Sequence, residues 1–175
     1  MNKNIIFGMG LLSALCVSSS VQAALVGQIA VSLEVESSCV INGTTVNGNG
    51  NNFGELNFGT TPHIWTSNID GQVIANGAVN GGLIVNCSTD VANFALQING
   101  GVRGDRTLSA GSTDEIEYQI YKDTNRSMAY AINTDETITL TNNTVTIPIY
   151  GRIAPNATAI NAGTYTDTLA VTLTF

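Results

Sequence analysis

Charged residues are scarce in this sequence. Asp, Glu, Lys and Arg make up 11% of its 175 residues, and six basic residues stand against 13 acidic ones. An acidic chain without a basic cluster argues against nucleic acid and against anionic membrane surfaces as partners. We therefore expect no nucleic-acid partner, and a surface built largely of Asn, Thr, Ser and Gly.

Candidate catalytic and metal-binding residues are also few. The single histidine, His63, lies in a predicted loop and belongs to no nucleophile or metal motif. The adjacent acids Asp114 and Glu115 could suggest the carboxylate pair of a glycosidase. Neighbouring residues of a strand point to opposite faces, however, so the two carboxylates would not face one substrate. We expect no enzyme, no catalytic residue, no cofactor, no metal ion and no small-molecule substrate. A carbohydrate-binding module is an alternative, and its aromatic platform would need Trp65, the one tryptophan.

Long apolar runs are absent after the first 23 residues. Lys3 precedes an apolar stretch from Ile5 to Val17, which is too short to span a bilayer with ease, and residues 21–23 fit a small-residue cleavage site. We predict a secretory signal over residues 1–23; an uncleaved anchor is the alternative. The remaining 152 residues, with a formal charge of −8, suit one domain with a real core.

Cysteine is rare as well, with three residues in the chain. Cys16 lies in the predicted signal, which leaves Cys39 and Cys87 in the exported chain. In an oxidising compartment such a pair predicts a disulfide, worth about 4 kcal/mol in the chain-entropy model. Metal binding is the rival interpretation, but two cysteines and the distant His63 make a poor ligand set.

Short alternating segments are what the sequence does contain, and no stretch after the signal has a 3.6-residue period. Many short strands separated by turn residues predict a β-sandwich or barrel. Pro148 cannot donate a ladder hydrogen bond, so we expect its strand at a sheet edge or at a bulge. The predicted strands cover residues 53–59, 69–74, 83–87, 94–98, 116–121, 128–132, 137–140, 145–150 and 165–175.

Two strand-like segments, one at each end of the exported chain, lack a partner. Leu25 to Val35 alternates from Ile29 onward and has no hairpin neighbour, whereas Tyr165 to Phe175 alternates with neither charge nor proline from Leu169 onward. An apolar edge strand of that kind needs cover. Strand addition from another chain is one solution, and folding back within the same molecule is the other. The pattern alone leaves both open.

Several motifs, taken in order, resemble one family. The series is Cys39 with the turn-rich stretch after it, Phe53–Gly59 (FGELNFG), Val85–Cys87 (VNC), Phe94–Gly101 (FALQINGG), Arg106–Leu108 (RTL), Tyr118–Asp123 (YQIYKD), Pro148–Ile153 (PIYGRI) and Gly163–Phe175 (GTYTDTLAVTLTF). Together they resemble the Csu-type subunits of archaic chaperone–usher pili and the spore coat protein U domains. Each piece is weak alone, but the resemblance covers essentially the whole exported chain.

The resemblance implies an all-β fold, an incomplete immunoglobulin-like β-sandwich with a free N-terminal donor strand. It implies a donor segment at residues 24–36 and a pilin domain at residues 37–175. The donor residues would be Ile29, Val31, Leu33 and Val35. The acceptor-groove strand would present Leu169, Val171, Leu173 and Phe175.

The resemblance also implies partners and a location. A periplasmic chaperone would fill the gap first, and the donor strand of a neighbouring subunit would replace it at an outer-membrane usher. We therefore expect a shaft or minor pilin of a cell-surface fimbrium, serving attachment and biofilm formation. A spore coat structural protein is the alternative within the same family.

Overall fold

The computed structural model describes residues 25–41, 52–75, 82–111 and 114–175; the predicted signal at residues 1–23 lies outside these ranges. The described ranges contain no helix that is long and apolar enough to cross a membrane. All the regular elements described there are β-strands. They are β1 (Cys39–Ile41), β2 (Gly54–Leu56), β3 (Ile69–Ala75), β4 (Gly82–Cys87), β5 (Asn93–Ile98), β6 (Thr107–Ser109), β7 (Glu115–Tyr121), β8 (Glu136–Thr139), β9 (Thr144–Pro148), β10 (Tyr150–Ile153) and β11 (Val171–Thr174).

The strands form three antiparallel sheets, which confirms the all-β prediction. The sheet orders are β1-β4-β9, β2-β3-β10-β7-β6 and β11-β5-β8. Alternation places one face of each sheet inward: in β5, Phe94, Leu96 and Ile98 are buried between more exposed residues. Apolar side chains from all three sheets form one core.

The strand predicted over residues 145–150 is two strands in different sheets. β9 ends at Pro148 at the edge of the β1-β4-β9 sheet, as the missing N–H of proline led us to expect. The carbonyl of Ile149 accepts a 2.9 Å hydrogen bond from the amide of Val73 in β3. The chain therefore crosses from one sheet to the other at Ile149, and β10 begins at Tyr150.

Residues 128–132, predicted as a strand, do not form one. Ala129 makes only an isolated bridge with Tyr121. The carboxylate of Asp123 accepts hydrogen bonds from the amides of Ser127 and Met128, at 3.0 and 2.8 Å, and this holds the chain in a tight turn. The prediction failed because it read apolar residues in a turn as a strand.

The predicted disulfide between Cys39 and Cys87 is present, and it joins directly opposite residues of β1 and β4. The two cysteines are 48 residues apart in the sequence, and the bond closes the loop between them. The bond therefore fixes the first strand of the domain to the core sheet that carries Leu83 and Val85.

The chain just before this disulfide is fastened by serines. Ser38 and Ser88 exchange two hydrogen bonds, from the Ser38 amide to the Ser88 hydroxyl at 3.1 Å and from the Ser88 amide to the Ser38 carbonyl at 2.9 Å. The Ser37 hydroxyl donates to Asp90, and this bond, with another from Ser88, lowers the pKa of that carboxyl below its usual value. The domain is thus anchored from Ser37 onward.

The segment before Ser37 is different. The chain divides into two units, Met1–Glu34 and Val35–Phe175. Residues 25–38 belong to no strand, although they alternate from Ile29. A strand requires a hydrogen-bonded neighbour, so alternation alone cannot produce one. The apolar side chains of Ile29, Val31, Leu33 and Val35 are 81–91% exposed.

Candidate functional site

A groove of about 690 Å³ opens along two sheet edges. One edge is β2, the last strand of the five-stranded sheet, and the other is β11, the last strand of its three-stranded sheet. Asn52, Glu55, Asp167, Thr168 and Thr172 supply polar groups at its rim. Its apolar lining is Phe53, Leu56, Phe58, Val73, Leu83, Ile98, Leu108, Tyr118, Ile149, Leu169 and Val171. Within the described ranges both strand edges lack a partner strand, and an apolar channel between them has the shape and chemistry of a site for one more strand.

Two glycines shape one side of the groove. Phe58 and Leu56 lie over Gly71 and Gly151, where an added Cβ would come within 3.3 Å and 2.7 Å of the Phe58 ring. The Phe58 ring also packs against Tyr118, with 6.1 Å between centroids. Glycine in a strand marks such a close approach, and here it lets the aromatic ring reach the sheet.

The end of the groove nearest residue 166 is closed by hydrogen bonds. Ser109 in β6 and Thr166 exchange amide-to-carbonyl bonds at 3.1 and 3.0 Å. Next to them, Asp167 accepts hydrogen bonds from the Tyr118 hydroxyl at 2.7 Å and from the Val102 amide at 2.8 Å. Burial, with this bond to Asp167, raises the pKa of Tyr118, so the phenol remains a donor at physiological pH.

The structure brings only part of the predicted acceptor set to this groove. Leu169 and Val171 line it. Leu173 is half-buried and packs against the core but does not line the groove, and Phe175 is 56% exposed. The regular strand covers residues 171–174 rather than 165–175, because Asp167 and its hydrogen bonds hold the preceding residues in an irregular path.

Trp65 does not offer a platform for sugar binding. It is 7% exposed, and its indole N–H donates a 2.7 Å hydrogen bond to the carbonyl of Ala154. Tyr118 and Tyr130 are buried as well. The alternative of a carbohydrate-binding module built on Trp65 is therefore wrong.

The other candidate residues have ordinary surroundings. His63 is exposed in a loop. The Asp114 carboxylate accepts two hydrogen bonds from Asn161, at 2.7 and 2.8 Å, and Glu115 pairs with Arg103 at 3.3 Å. Across the described ranges, no three His, Cys, Asp or Glu side chains gather in a way that could hold a metal ion.

Sequence comparison identifies the family. Residues 25–172 match the family model described as the Spore Coat Protein U domain. The chain belongs to the Spore Coat Protein U domain family. The match confirms the resemblance seen in the sequence, and it includes both the exposed segment from Leu25 and the first half of β11.

Among solved structures, this Spore Coat Protein U domain is similar to a chain in the crystal structure of the CsuC–CsuE chaperone–tip adhesion subunit pre-assembly complex from the archaic chaperone–usher Csu pili of Acinetobacter baumannii. The identity is 17% and the TM-score 0.46. The similarity covers 81% of this chain and 40% of that one. No curated protein sequence matches the chain significantly.

The groove of this Spore Coat Protein U domain contains residues that the sequence reasoning missed. The β2 side, with Phe53, Leu56 and Phe58, was predicted only as a short strand with no role. Gly71 and Gly151, set inside strands, were the available signal, because strand glycines mark a close packing partner. Which segment packs there depends on long-range pairing that the sequence does not display.

Proposed function

We propose that this protein is a structural subunit, a shaft or minor pilin, of an archaic chaperone–usher pilus, and that it polymerises by donor-strand exchange. The groove between β2 and β11 carries the proposal. It has the apolar lining and the two open edges that an added strand requires. The segment of residues 25–36 from a second copy of this chain is the proposed occupant.

The chemistry of the proposed donor fits that groove. Ile29, Val31, Leu33 and Val35 would share one face of an added strand, and each is almost fully exposed in the free chain. Burial of an aliphatic side chain contributes about 1.5–3 kcal/mol, so four of them contribute about 6 kcal/mol or more. Main-chain pairing on both sides would add further stability. No nucleotide and no cofactor is needed to drive this exchange.

Export and assembly require the remaining proposed partners. A groove with this much apolar lining is an aggregation hazard before the donor arrives, so a periplasmic chaperone would cover it. An outer-membrane usher would then join successive subunits and deliver the fibre to the cell surface. Such a fibre would support surface attachment and biofilm formation, with no catalytic role for the subunit.

A spore coat structural protein is the second candidate, and the description of the matched family favours it. The same groove and the same exposed segment would then link subunits in a coat. The two candidates differ in location and in partners. Loss of surface protein after deletion of the usher supports the pilus, whereas normal deposition on spores without an usher supports the coat.

The experiment that tests polymerisation is a denaturing gel of the exported protein, with unheated and boiled samples side by side. We expect a ladder of multimers without heating and one monomer band after boiling. Val31→Asp should abolish the ladder because it places a charge among the buried donor residues. Its matched control, Ser32→Asp, changes the neighbouring outward residue and should retain the ladder. A single monomer band from unheated, unmodified protein would contradict the proposal.

A further inference from the structure

Gly71 of β3 and Gly151 of β10 lie directly opposite each other beneath one wall of the groove. Neither residue has a side chain, so this pair lacks the cross-strand side-chain contacts that stabilise a sheet. Val73 and Ile149, two residues away along each chain, line the groove, and the Val73 amide donates a 2.9 Å hydrogen bond to the Ile149 carbonyl. A loosening of the sheet at the two glycines would therefore reach the groove.

The guanidinium of Arg126 binds both glycines from the opposite face of the sheet. Its Nε donates a 2.9 Å hydrogen bond to the carbonyl of Gly151, and its Nη2 donates one of 3.2 Å to the carbonyl of Gly71. Each carbonyl oxygen has two lone pairs, so it can accept from Arg126 in addition to the amide of a neighbouring strand. One side chain therefore joins β3 to β10 at a pair that has no side chains of its own.

The neighbours of the two glycines complete this contact. Asp70 and Tyr150 each precede a glycine in the chain, so their side chains leave the sheet on the face away from the groove. Asp70 pairs with the Arg126 guanidinium at 3.3 Å, and the centre of the Tyr150 ring lies 5.8 Å from the guanidinium carbon. These contacts leave 13% of the Arg126 side chain exposed and hold it over the glycine pair.

The backbone of Arg126 adopts an unusual conformation. Its φ is +57°, in the left-handed region that residues other than glycine seldom occupy. The carbonyl of Asp123 accepts the Arg126 amide at 3.0 Å, and Nη1 of Arg126 donates to the carbonyl of Thr124 at 2.9 Å. Glycine would fit this backbone without strain, so the presence of arginine points to a role for the side chain.

The inner face of the same two glycines supports the groove wall. Phe58 packs directly on them, since a Cβ at Gly151 would lie 2.7 Å from its ring, and Phe58 and Leu56 line the groove. We propose, resting on the function proposed above, that Arg126 is a positioning residue for binding of the donor strand. By joining Gly71 to Gly151 from outside, it fixes the surface on which Phe58 rests. It thereby keeps the β2 wall of the groove in the shape that accepts the donor.

Lysine tests the geometry of this contact. Arg126→Lys keeps a positive charge near Asp70, but one ammonium group does not present the planar fork that binds carbonyls of two strands at once. We expect the heat-sensitive ladder of this variant to collapse at a lower temperature. Arg152→Lys is the matched control, because Arg152 donates to the same Asp70 carboxylate, at 2.7 and 2.9 Å, rather than to the glycine carbonyls. Its ladder should collapse close to the temperature of the unmodified protein.

Amide hydrogen exchange separates positioning from general stability. In Arg126→Lys, we expect exchange in residues 54–75 and in β10 to be about tenfold faster, as for loss of a hydrogen bond to a charged group, with exchange in β4 unchanged. Arg126→Gly separates the side chain from the backbone of the turn. It relieves the left-handed conformation but loses the fork, so it should show the same local increase in exchange.

Equal exchange and equal collapse temperatures for Arg126→Lys and Arg152→Lys overturn the proposal. An equally large increase of exchange in β4 also overturns it, because Arg126 would then stabilise the domain as a whole. An Arg126→Gly variant that behaves like the unmodified protein overturns it too. An unmodified chain without a ladder overturns the proposed function itself. The exchange measurement needs no assembly, so it still decides in that case whether Arg126 holds the groove wall.

Discussion

The hydroxyl of Tyr118 donates a 2.7 Å hydrogen bond to Asp167, and the same carboxylate accepts the amide of Val102 at 2.8 Å. One side chain thus joins β7, the turn after β5 and the approach to β11. Because Tyr118 lines the groove, this junction also fixes the closed end of the groove.

Replacing Asp167 should therefore weaken the domain. Asp167→Ala leaves the buried Tyr118 hydroxyl and the Val102 amide without their acceptor, and we expect a loss of about 1–3 kcal/mol in the free energy of unfolding. Asp167→Asn keeps one acceptor oxygen and should cost less. Denaturant unfolding of both variants measures the difference, and equal losses would contradict this account.

The two glycines of the neighbouring turn make a matched pair. Gly101 and Gly104 have φ of +83° and +88°, so alanine is strained at either position, by about 1–2 kcal/mol. A Cβ on Gly101 would collide with the Asp167 carboxylate, whereas one on Gly104 meets no atom within 4 Å. We expect Gly101→Ala to cost at least about 1 kcal/mol more than Gly104→Ala in the free energy of unfolding. Thermal unfolding of the two variants checks the order, and the reverse order would refute it.

The disulfide should be a large part of the stability of the subunit. Replacing both Cys39 and Cys87 with serine opens the loop that the disulfide closes between residues 48 apart in the sequence. The chain-entropy model gives a loss of about 4 kcal/mol in the free energy of unfolding. We expect less exported protein and a lower unfolding midpoint. Reduction of the unmodified protein should reproduce the shift, and leave the double variant unchanged. A variant as stable as the oxidised protein would show that the bond does not matter.

A carboxylate between two arginines should make the stability of the fold depend on pH. Asp70 accepts two hydrogen bonds from Arg152, at 2.7 and 2.9 Å, and lies 3.3 Å from Arg126. The Arg152 bonds, and then the charge of Arg126, hold the pKa of Asp70 below its ordinary value of 3.8. A lowered pKa stabilises the fold above the unfolded-state value, and the contribution disappears as pH falls through the folded-state value.

We therefore expect Asp70→Asn to reduce the free energy of unfolding at about pH 7, and the difference to shrink as the pH falls below the ordinary value of 3.8. The loss should stay near or below about 1 kcal/mol, because the site is partly exposed and solvent screens the charges. Glu117→Gln, at an exposed position of β7, is the control. A loss for Asp70→Asn that persists unchanged at low pH would assign the effect to shape rather than charge.

Alternation in the sequence was sufficient to predict the strands that bury one face, such as β4, β5 and β7, and the edge position of Pro148. It was insufficient where a few residues pair with a distant segment. β6 has three residues, and it forms because Leu108 packs inward opposite Ile116. Arg106 is 1% exposed, an outcome that composition does not suggest, and it reaches the Tyr130 carbonyl at 2.5 Å.

The groove was predictable from one side only. The uncharged alternation of Leu169 and Val171 indicated an edge strand in need of a partner, and both residues line the groove. Phe175 was assigned to the same row by its spacing, but the strand ends at Thr174 and the ring is exposed. The opposite wall at β2 arises from long-range packing over Gly71 and Gly151, which local sequence does not encode.

The covalent link between Cys39 and Cys87 has a mechanical consequence in the proposed fibre. Tension from a neighbouring subunit would enter this chain at Ser37, pass through the disulfide to Cys87, and continue within a few residues into β5. β5 lies beside β11, the strand that would hold the next donor. The load path is therefore short, and residues 40–86 lie outside it.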